Sequence, residues 1–276
     1  VATCFSCSSE TSKRPQVNRP TDEYIASPSL KNIAYDSLNI VTADGVRLTG
    51  WLIRPNVALA DAVVIMSGGD AGNMSFSLDY AGYMTNIIGV PILLFDYRGF
   101  GSSTAFSIDP DRLTYPEYVT DIEAAIDWTK RRHPNAKIIL HGLSMGASLS
   151  LVAAARRSDV AGVIAESPYI SQRTLVERIN AQRQQNGSGR TVTYDGGESL
   201  DPIAHVGKLG STPLLLIHGA KETKTPPEEA RRFYDAYPTA DKEMWLVPEA
   251  GHLEAMNVAG DQYVEKIKTF VSRIAR

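Results

Sequence analysis

Cysteine is nearly absent: the 276 residues hold two, Cys4 and Cys7. Both lie in a Ser-rich start, so no disulfide ties distant segments together. A CxxC metal or redox site needs partner ligands or a following helix, and neither is near. Long apolar runs are also missing. Apolar runs such as 62–66 and 138–140 are strand-sized, so no segment is expected to span a bilayer. Charge of one sign is lacking too, with a formal net charge of -3 and no basic stretch, which argues against nucleic acid as a partner. No HxH, HExxH or carboxylate cluster occurs, so no metal or other cofactor is implied. No internal repeat is visible.

What is present suits a buried core. Apolar residues make up 43% and charged residues 21%, and the length is ordinary for one large α/β sheet domain. Residues 1–30 are rich in Ser, Thr, Pro and Asn and read as a flexible tail or tether. The run Cys7-Ser8-Ser9-Glu10 resembles the start of a mature bacterial lipoprotein. That resemblance implies a lipid on Cys7 and an extracytoplasmic, periplasmic location. The alternative is a polar tail with an incidental CxxC, which leaves a cytoplasmic location open. Residues 31–276 read as a single domain.

The domain opens with alternation over 37–41, a turn at Asp44-Gly45, and alternation again over 46–54, which predicts an antiparallel hairpin. After Pro55 the pattern changes. Apolar runs at 62–67, 91–95, 137–140, 160–165, 213–217 and 242–247 predict strands. Helical stretches are predicted at 75–86, 115–132, 144–157, 226–237 and 261–274. Non-alternating strands, each followed by a helix, imply a doubly wound, mostly parallel sheet covered on both faces. Only 167–211 breaks the alternation. Its polar, Gly-containing stretches predict a short cap excursion over the carboxyl ends of the strands, where ligands of open sheets bind.

The strongest local signal is Gly142-Leu143-Ser144-Met145-Gly146, between a predicted strand and an Ala-rich predicted helix. A sharp strand-to-helix turn there exposes the serine hydroxyl, and glycines let neighbouring backbone approach. The helix N-terminus favours negative charge developing beside it. As a bare pentapeptide GxSxG is common; its strand–helix context gives it meaning. A serine hydroxyl needs a base, and the base needs an orienting acid, in the chain order Ser, acid, His. Of five histidines, His133 reads as surface, while His141 and His218 each end a strand. His205 lies in the excursion with nothing to orient it. His252, in Glu249-Ala250-Gly251-His252, is late in the chain and at the correct sheet end, so it is expected to be the base.

The runs Phe95-Asp96-Tyr97-Arg98-Gly99-Phe100-Gly101-Ser102, Gly142–Gly146, Leu216-Ile217-His218-Gly219 and Gly251-His252 stand in one order across residues 35–276. Together they resemble the α/β-hydrolase-fold serine hydrolases, in the branch of esterases, acyl-thioesterases and serine aminopeptidases. The resemblance implies an α/β-hydrolase fold and a triad of Ser144, His252 and a carboxylate three residues past Gly219. This chain departs there, with Glu222 where relatives mostly have Asp. Glu166, at the end of the strand after the serine, is the fallback. The resemblance also implies an oxyanion hole from the backbone N–H of Met145 and one from the loop Gly68-Gly69-Asp70-Ala71-Gly72-Asn73. The second donor is assigned to Asp70, with Gly69 the alternative. That loop is no phosphate loop, since no Lys follows its glycines. Arg98 and Asp96 are read as structural ties between loops.

The expected function is hydrolysis of an ester-like bond in a small-molecule acyl substrate, with small or medium acyl groups favoured by the polar excursion. Acyl-protein thioesterase and small serine peptidase are alternatives with the same triad. A non-catalytic binding protein on the same fold is the rival of another class, against which Ser144 and His252 both stand. A dehalogenase or epoxide hydrolase would need a carboxylate at position 144.

Overall fold

A computed structural model describes residues 17–276. Eight strands form the central sheet: β1 Tyr35–Val41, β2 Arg47–Ile53, β3 Ala62–Ser67, β4 Ile92–Phe95, β5 Lys137–Leu143, β6 Val160–Glu166, β7 Leu214–Gly219 and β8 Lys242–Val247. Their spatial order is β8-β7-β6-β5-β3-β4-β2-β1. All neighbouring pairs are parallel except β1 with β2 and β2 with β4. The hairpin and doubly wound sheet expected from the periodicity are therefore present. This is the α/β-hydrolase fold.

The longer helices are α1 Leu78–Ile88, α2 Glu117–Arg132, α3 Met145–Ala155, α4 Gln172–Gln185, α5 Pro227–Ala236 and α6 Asp261–Ile274. One face of the sheet is covered by α2, α3 and α5 through residues such as Ile122, Leu149 and Phe233. The other is covered by α1 and α6 through Leu78, Met84, Ile267 and Val271. Burial on both faces explains why the central strands carry continuous apolar runs: β3 and β7 are buried at every position. Among the described residues no helix is long and apolar enough to cross a membrane.

Three differences from expectation matter for the site. First, β5 runs on to Leu143, so His141 and Gly142 are strand residues. Second, the excursion between β6 and β7 begins with a fourteen-residue helix, α4. Its stripe is thin, with Leu175 and Val176 its buried hydrophobics, so the helical period is weak in the sequence. Third, a tail reaching residue 30 is too long. The segment from residue 17 packs on the domain: Arg19–Pro20 pairs with Ala71–Gly72, the buried Asn18 side chain donates to the Arg112 carbonyl at 3.1 Å, and Tyr24 donates to Asp96 at 2.5 Å. These partners are distant in sequence and leave no periodic trace. Cys4 and Cys7 lie outside the described residues.

Candidate active site

Ser144 sits between the last residue of β5 and the first of α3, with φ 51° and ψ -115°. A non-glycine residue there is strained by roughly 1–3 kcal/mol, and such strain persists only when its surroundings over-determine it. They do so here through close backbone approach. A Cβ at Gly142 would lie 2.3 Å from the Ala147 Cα, and one at Gly146 would lie 2.2 Å from the Ser67 carbonyl oxygen. The elbow is wedged between its own helix and the end of β3, and only glycine fits on either side. The Ser144 N–H donates to the Glu166 carbonyl at 2.9 Å, which fastens the turn to β6.

The Ser144 hydroxyl meets His252 Nε2 at 2.9 Å. On the other side of the ring, His252 Nδ1 meets Glu222 Oε2 at 2.5 Å. His252 comes from the loop after β8, where Glu249 and Leu253 both hold positive φ, at 65° and 59°. Glu222 comes from the turn after β7. That turn is closed by His218 Nε2 at 2.6 Å from the Thr225 carbonyl, and by the Lys221 N–H donating to the Ala250 carbonyl at 2.9 Å. The second bond joins the acid-bearing turn to the histidine loop.

Glu222 is fully buried at its side chain, and its other oxygen accepts the Lys224 N–H at 2.7 Å. Burial pushes its pKa up. The His252 ring and the amides of Lys224 and Thr225 outweigh that and hold the carboxyl below its ordinary value. The longer glutamate is thus accommodated in an ionised, hydrogen-bonded state.

The fallback acid, Glu166, does not touch His252. Its Oε2 accepts the Tyr263 hydroxyl at 2.7 Å, and burial pushes its pKa up to about 7. Leu143 is paired with Glu166 across the sheet, which brings that carboxyl near the elbow. Met145 opens α3, and a first-turn N–H has no partner within its own helix. In the loop after β3, Gly69 packs against the elbow: a Cβ there would be 3.8 Å from Ser144 Cβ. The Asp70 carbonyl accepts the Arg19 N–H at 2.7 Å, so the N-terminal segment holds this loop.

The remaining histidines have other partners. His141 is buried with Nδ1 3.4 Å from the Tyr80 hydroxyl, and burial lowers its pKa to about 4. His205 Nε2 lies 2.9 Å from the Ser199 carbonyl oxygen. Arg98 is a tie between loops, but its partners are Asp121 on α2 at 2.7 Å and Asp44 in the hairpin turn at 2.6 Å. Asp96 instead accepts from Tyr24 and from the Met74 N–H at 2.6 Å.

Beside the elbow lies a cavity of about 280 Å³ between Met66, Leu143, Leu253 and Met256, with Glu166 and Tyr263 in its wall. Sequence reasoning did not find it, because its walls come from segments far apart in the chain. Two of its lining residues, Leu143 and Leu253, are the chain neighbours of Ser144 and His252.

The fold is that of the α/β-hydrolases, and the chain resembles that family in part of its sequence as well. Residues 59–193, just under half of the chain, match the family model of the serine aminopeptidases S33. The uncharacterized protein YfhR of Escherichia coli K12 is 28% identical over 245 residues, covering 86% of this chain and 80% of that protein. The protein bem46 of Schizosaccharomyces pombe is 21% identical over 263 residues, covering 94% and 82%. Among solved structures, the Pyrococcus furiosus esterase Pf2001 superposes with a TM-score of 0.77 at 20% identity, covering 95% of this chain and 98% of that one. At that identity the likeness speaks for the fold.

Proposed function

We propose that this chain is a serine hydrolase that cleaves an ester-like acyl bond through a Ser144–His252–Glu222 triad. The observation that carries the reading is the unbroken chain of hydrogen bonds from Glu222 through His252 to Ser144, ending on a strained residue beside a cavity. In the proposed mechanism Ser144 Oγ attacks the acyl carbonyl while His252 Nε2 takes its proton. Glu222 holds the ring through Nδ1 and stabilises the imidazolium. The amides of Met145 and Asp70 receive the oxyanion. His252 then protonates the leaving group, and water repeats the sequence on the acyl-enzyme to release the acid. No step calls for a cofactor. The excursion 167–211 serves as the cap. This agrees with its α4, whose Arg178 donates to the Lys224 carbonyl beside the acid at 2.5 Å.

The test is hydrolysis of p-nitrophenyl esters across acyl lengths, together with labelling by a fluorophosphonate. Wild type should turn over and take the label, and Ser144→Ala should lose both, with kcat falling by a factor of about 10⁶. A Ser144→Ala protein that keeps its activity, or a folded wild type that hydrolyses no ester, thioester or peptide and takes no label, overturns the reading. The last outcome points to the binding protein on the same fold.

A further inference from the structure

The loop that carries the second proposed oxyanion donor leaves β3 through two glycines. Gly68 and Gly69 have no side chain to fix them, and a Cβ at Gly68 would meet nothing within 4 Å. Beneath the loop lies a small cavity of about 20 Å³, bounded by Gly68, Gly69, Met74 and the ends of β3 and β4. Glycine backbone is the freest in the chain. The sheet side therefore leaves the direction of the Asp70 N–H undetermined. Whatever fixes it acts from the other side of the loop.

Residues 17–25 lie there. The Arg19 N–H donates to the Asp70 carbonyl at 2.7 Å and the Thr21 N–H to the Gly72 carbonyl at 3.1 Å, along the pairing of Arg19–Pro20 with Ala71–Gly72. The buried Asn73 side chain closes the arrangement. Its amide donates to the Thr21 carbonyl at 3.0 Å and to the Glu23 carbonyl at 2.8 Å, while its Oδ1 accepts the Ser75 N–H at 3.0 Å. Asp96 clasps both pieces, accepting the Tyr24 hydroxyl on one oxygen and the Met74 N–H on the other. Within 17–25 only Asn18 is buried. A segment that merely covered the sheet would turn apolar side chains onto it. This one directs its main chain at the loop.

We propose that residues 17–25 are a strap that sets the oxyanion hole, with Asn73 as the positioning residue that joins strap to loop. The inference rests on the proposed function, since it concerns a donor to the oxyanion of that reaction. The two donors are then held unequally. Met145 is fixed by the wedged elbow, whereas the Asp70 N–H stays in place only while the strap is fastened. Asn73 touches no substrate and acts through the loop. Removing one oxyanion donor costs about 10²–10³ in kcat, and a displacement of about 1 Å at a reacting centre can cost about 10². A loop freed from its strap should therefore lose about tenfold to a hundredfold in kcat.

The experiment is Asn73→Ser in the full chain. Serine keeps a hydroxyl to cap the short turn Met74–Ser77 and adds no charge, but it lacks the amide that holds Thr21 and Glu23. Kinetics on a p-nitrophenyl ester are read per folded molecule, with the folded fraction taken from the melting curve. The kcat should fall about tenfold to a hundredfold with KM within about threefold. The pH profile of kcat/KM should keep its shape, because the Glu222–His252–Ser144 chain is untouched. Hydrogen exchange over 68–75 should quicken by about tenfold or more while α3 keeps its protection. A purely structural role would lower the folded fraction and leave kcat per folded molecule alone, and that result overturns the proposal. So does a fall in kcat without faster exchange in the loop. If Asn73→Ser does not fold, Tyr24→Phe decides: it loses one bond to Asp96 but keeps its ring against Trp51, and should show the same pattern at about twofold to tenfold. An unchanged kcat there overturns the proposal equally. A wild type without turnover removes the hydrolase and this role with it, whereas an active wild type matched by both variants removes this role alone.

Discussion

The elbow and the excursion that follows it are held by different physics. Around Ser144 the chain is wedged by backbone: ten consecutive residues of α3, Met145–Ala154, are buried, and both flanking glycines lie against neighbouring main chain. The excursion rests on a small cluster of Leu113, Tyr169, Leu175, Val176 and Val192 and is laced by ion pairs. Arg183 and Arg190 meet Asp111, Arg112 meets Asp195, and Arg178 meets Glu229. Close packing positions a group to a fraction of an ångström, whereas ion pairs that keep some contact with solvent contribute less each and are screened by salt. Ser144 is thus held rigidly, and the excursion more loosely. Glu166 is the joint: its carbonyl fastens Ser144, its side chain faces the cavity, and the excursion departs at the next residue.

The sharpest way to break this contrast is Gly146→Ala. A methyl 2.2 Å from one carbonyl oxygen and 2.3 Å from the next cannot be relieved by a side-chain rotation. The expected loss exceeds the ~1–3 kcal/mol of ordinary overpacking and takes activity with it. An unchanged melting temperature would show that the elbow is not rigid.

Next comes Glu222→Gln, which preserves shape but removes the charge facing His252. A fall in kcat of about 10²–10⁴ is expected with stability largely kept. A loss below about threefold would move the orienting role elsewhere, and Glu166 would be the first place to look.

The joint itself is probed by Glu166→Gln as a function of pH. Because its folded pKa is raised to about 7, wild type holds an extra proton relative to the unfolded chain between about pH 4.5 and pH 7, and loses stability as pH rises through that window. The variant lacks this dependence. Its stability relative to wild type should therefore rise across the window, by at most about 3 kcal/mol, as measured by urea unfolding at each pH.

The smallest effect is expected from Asp111→Asn, which cuts the pairs to Arg183 and Arg190. Faster amide exchange in the excursion, worth about 1 kcal/mol and partly mimicked by high salt in wild type, should leave exchange in α3 unchanged. Equal acceleration in both would mean that the two regions open together.

The sheet was legible because burial on both faces writes itself into consecutive residues, as at 62–67, and because the hairpin alternates over a turn at Asp44-Gly45. The elbow was legible because GxSxG is a local backbone requirement, and His252 could be chosen by chain order, whereas Glu222 was preferred to Glu166 only through the family resemblance. What escaped was either weakly periodic or long-range. Helix α4 carries too thin a stripe, and Arg98 had no local sign pointing to Asp44 and Asp121 rather than Asp96. Residues 17–24 look like tail because their partners, Asp70, Asp96 and Arg112, lie far along the chain.

By itself, then, the sequence determined the α/β class, the strand–turn–helix around Ser144, and which late histidine stands at the same sheet end. Each is set by a periodicity or a local steric need that neighbouring residues satisfy. Only the tertiary structure decided that Glu222 rather than Glu166 meets the imidazole, and that Glu166 instead accepts the Tyr263 hydroxyl. Both outcomes depend on where the ends of β6, β7 and β8 come to lie relative to one another. That is fixed by packing among segments about thirty to a hundred residues apart, at distances where one ångström separates a hydrogen bond from none.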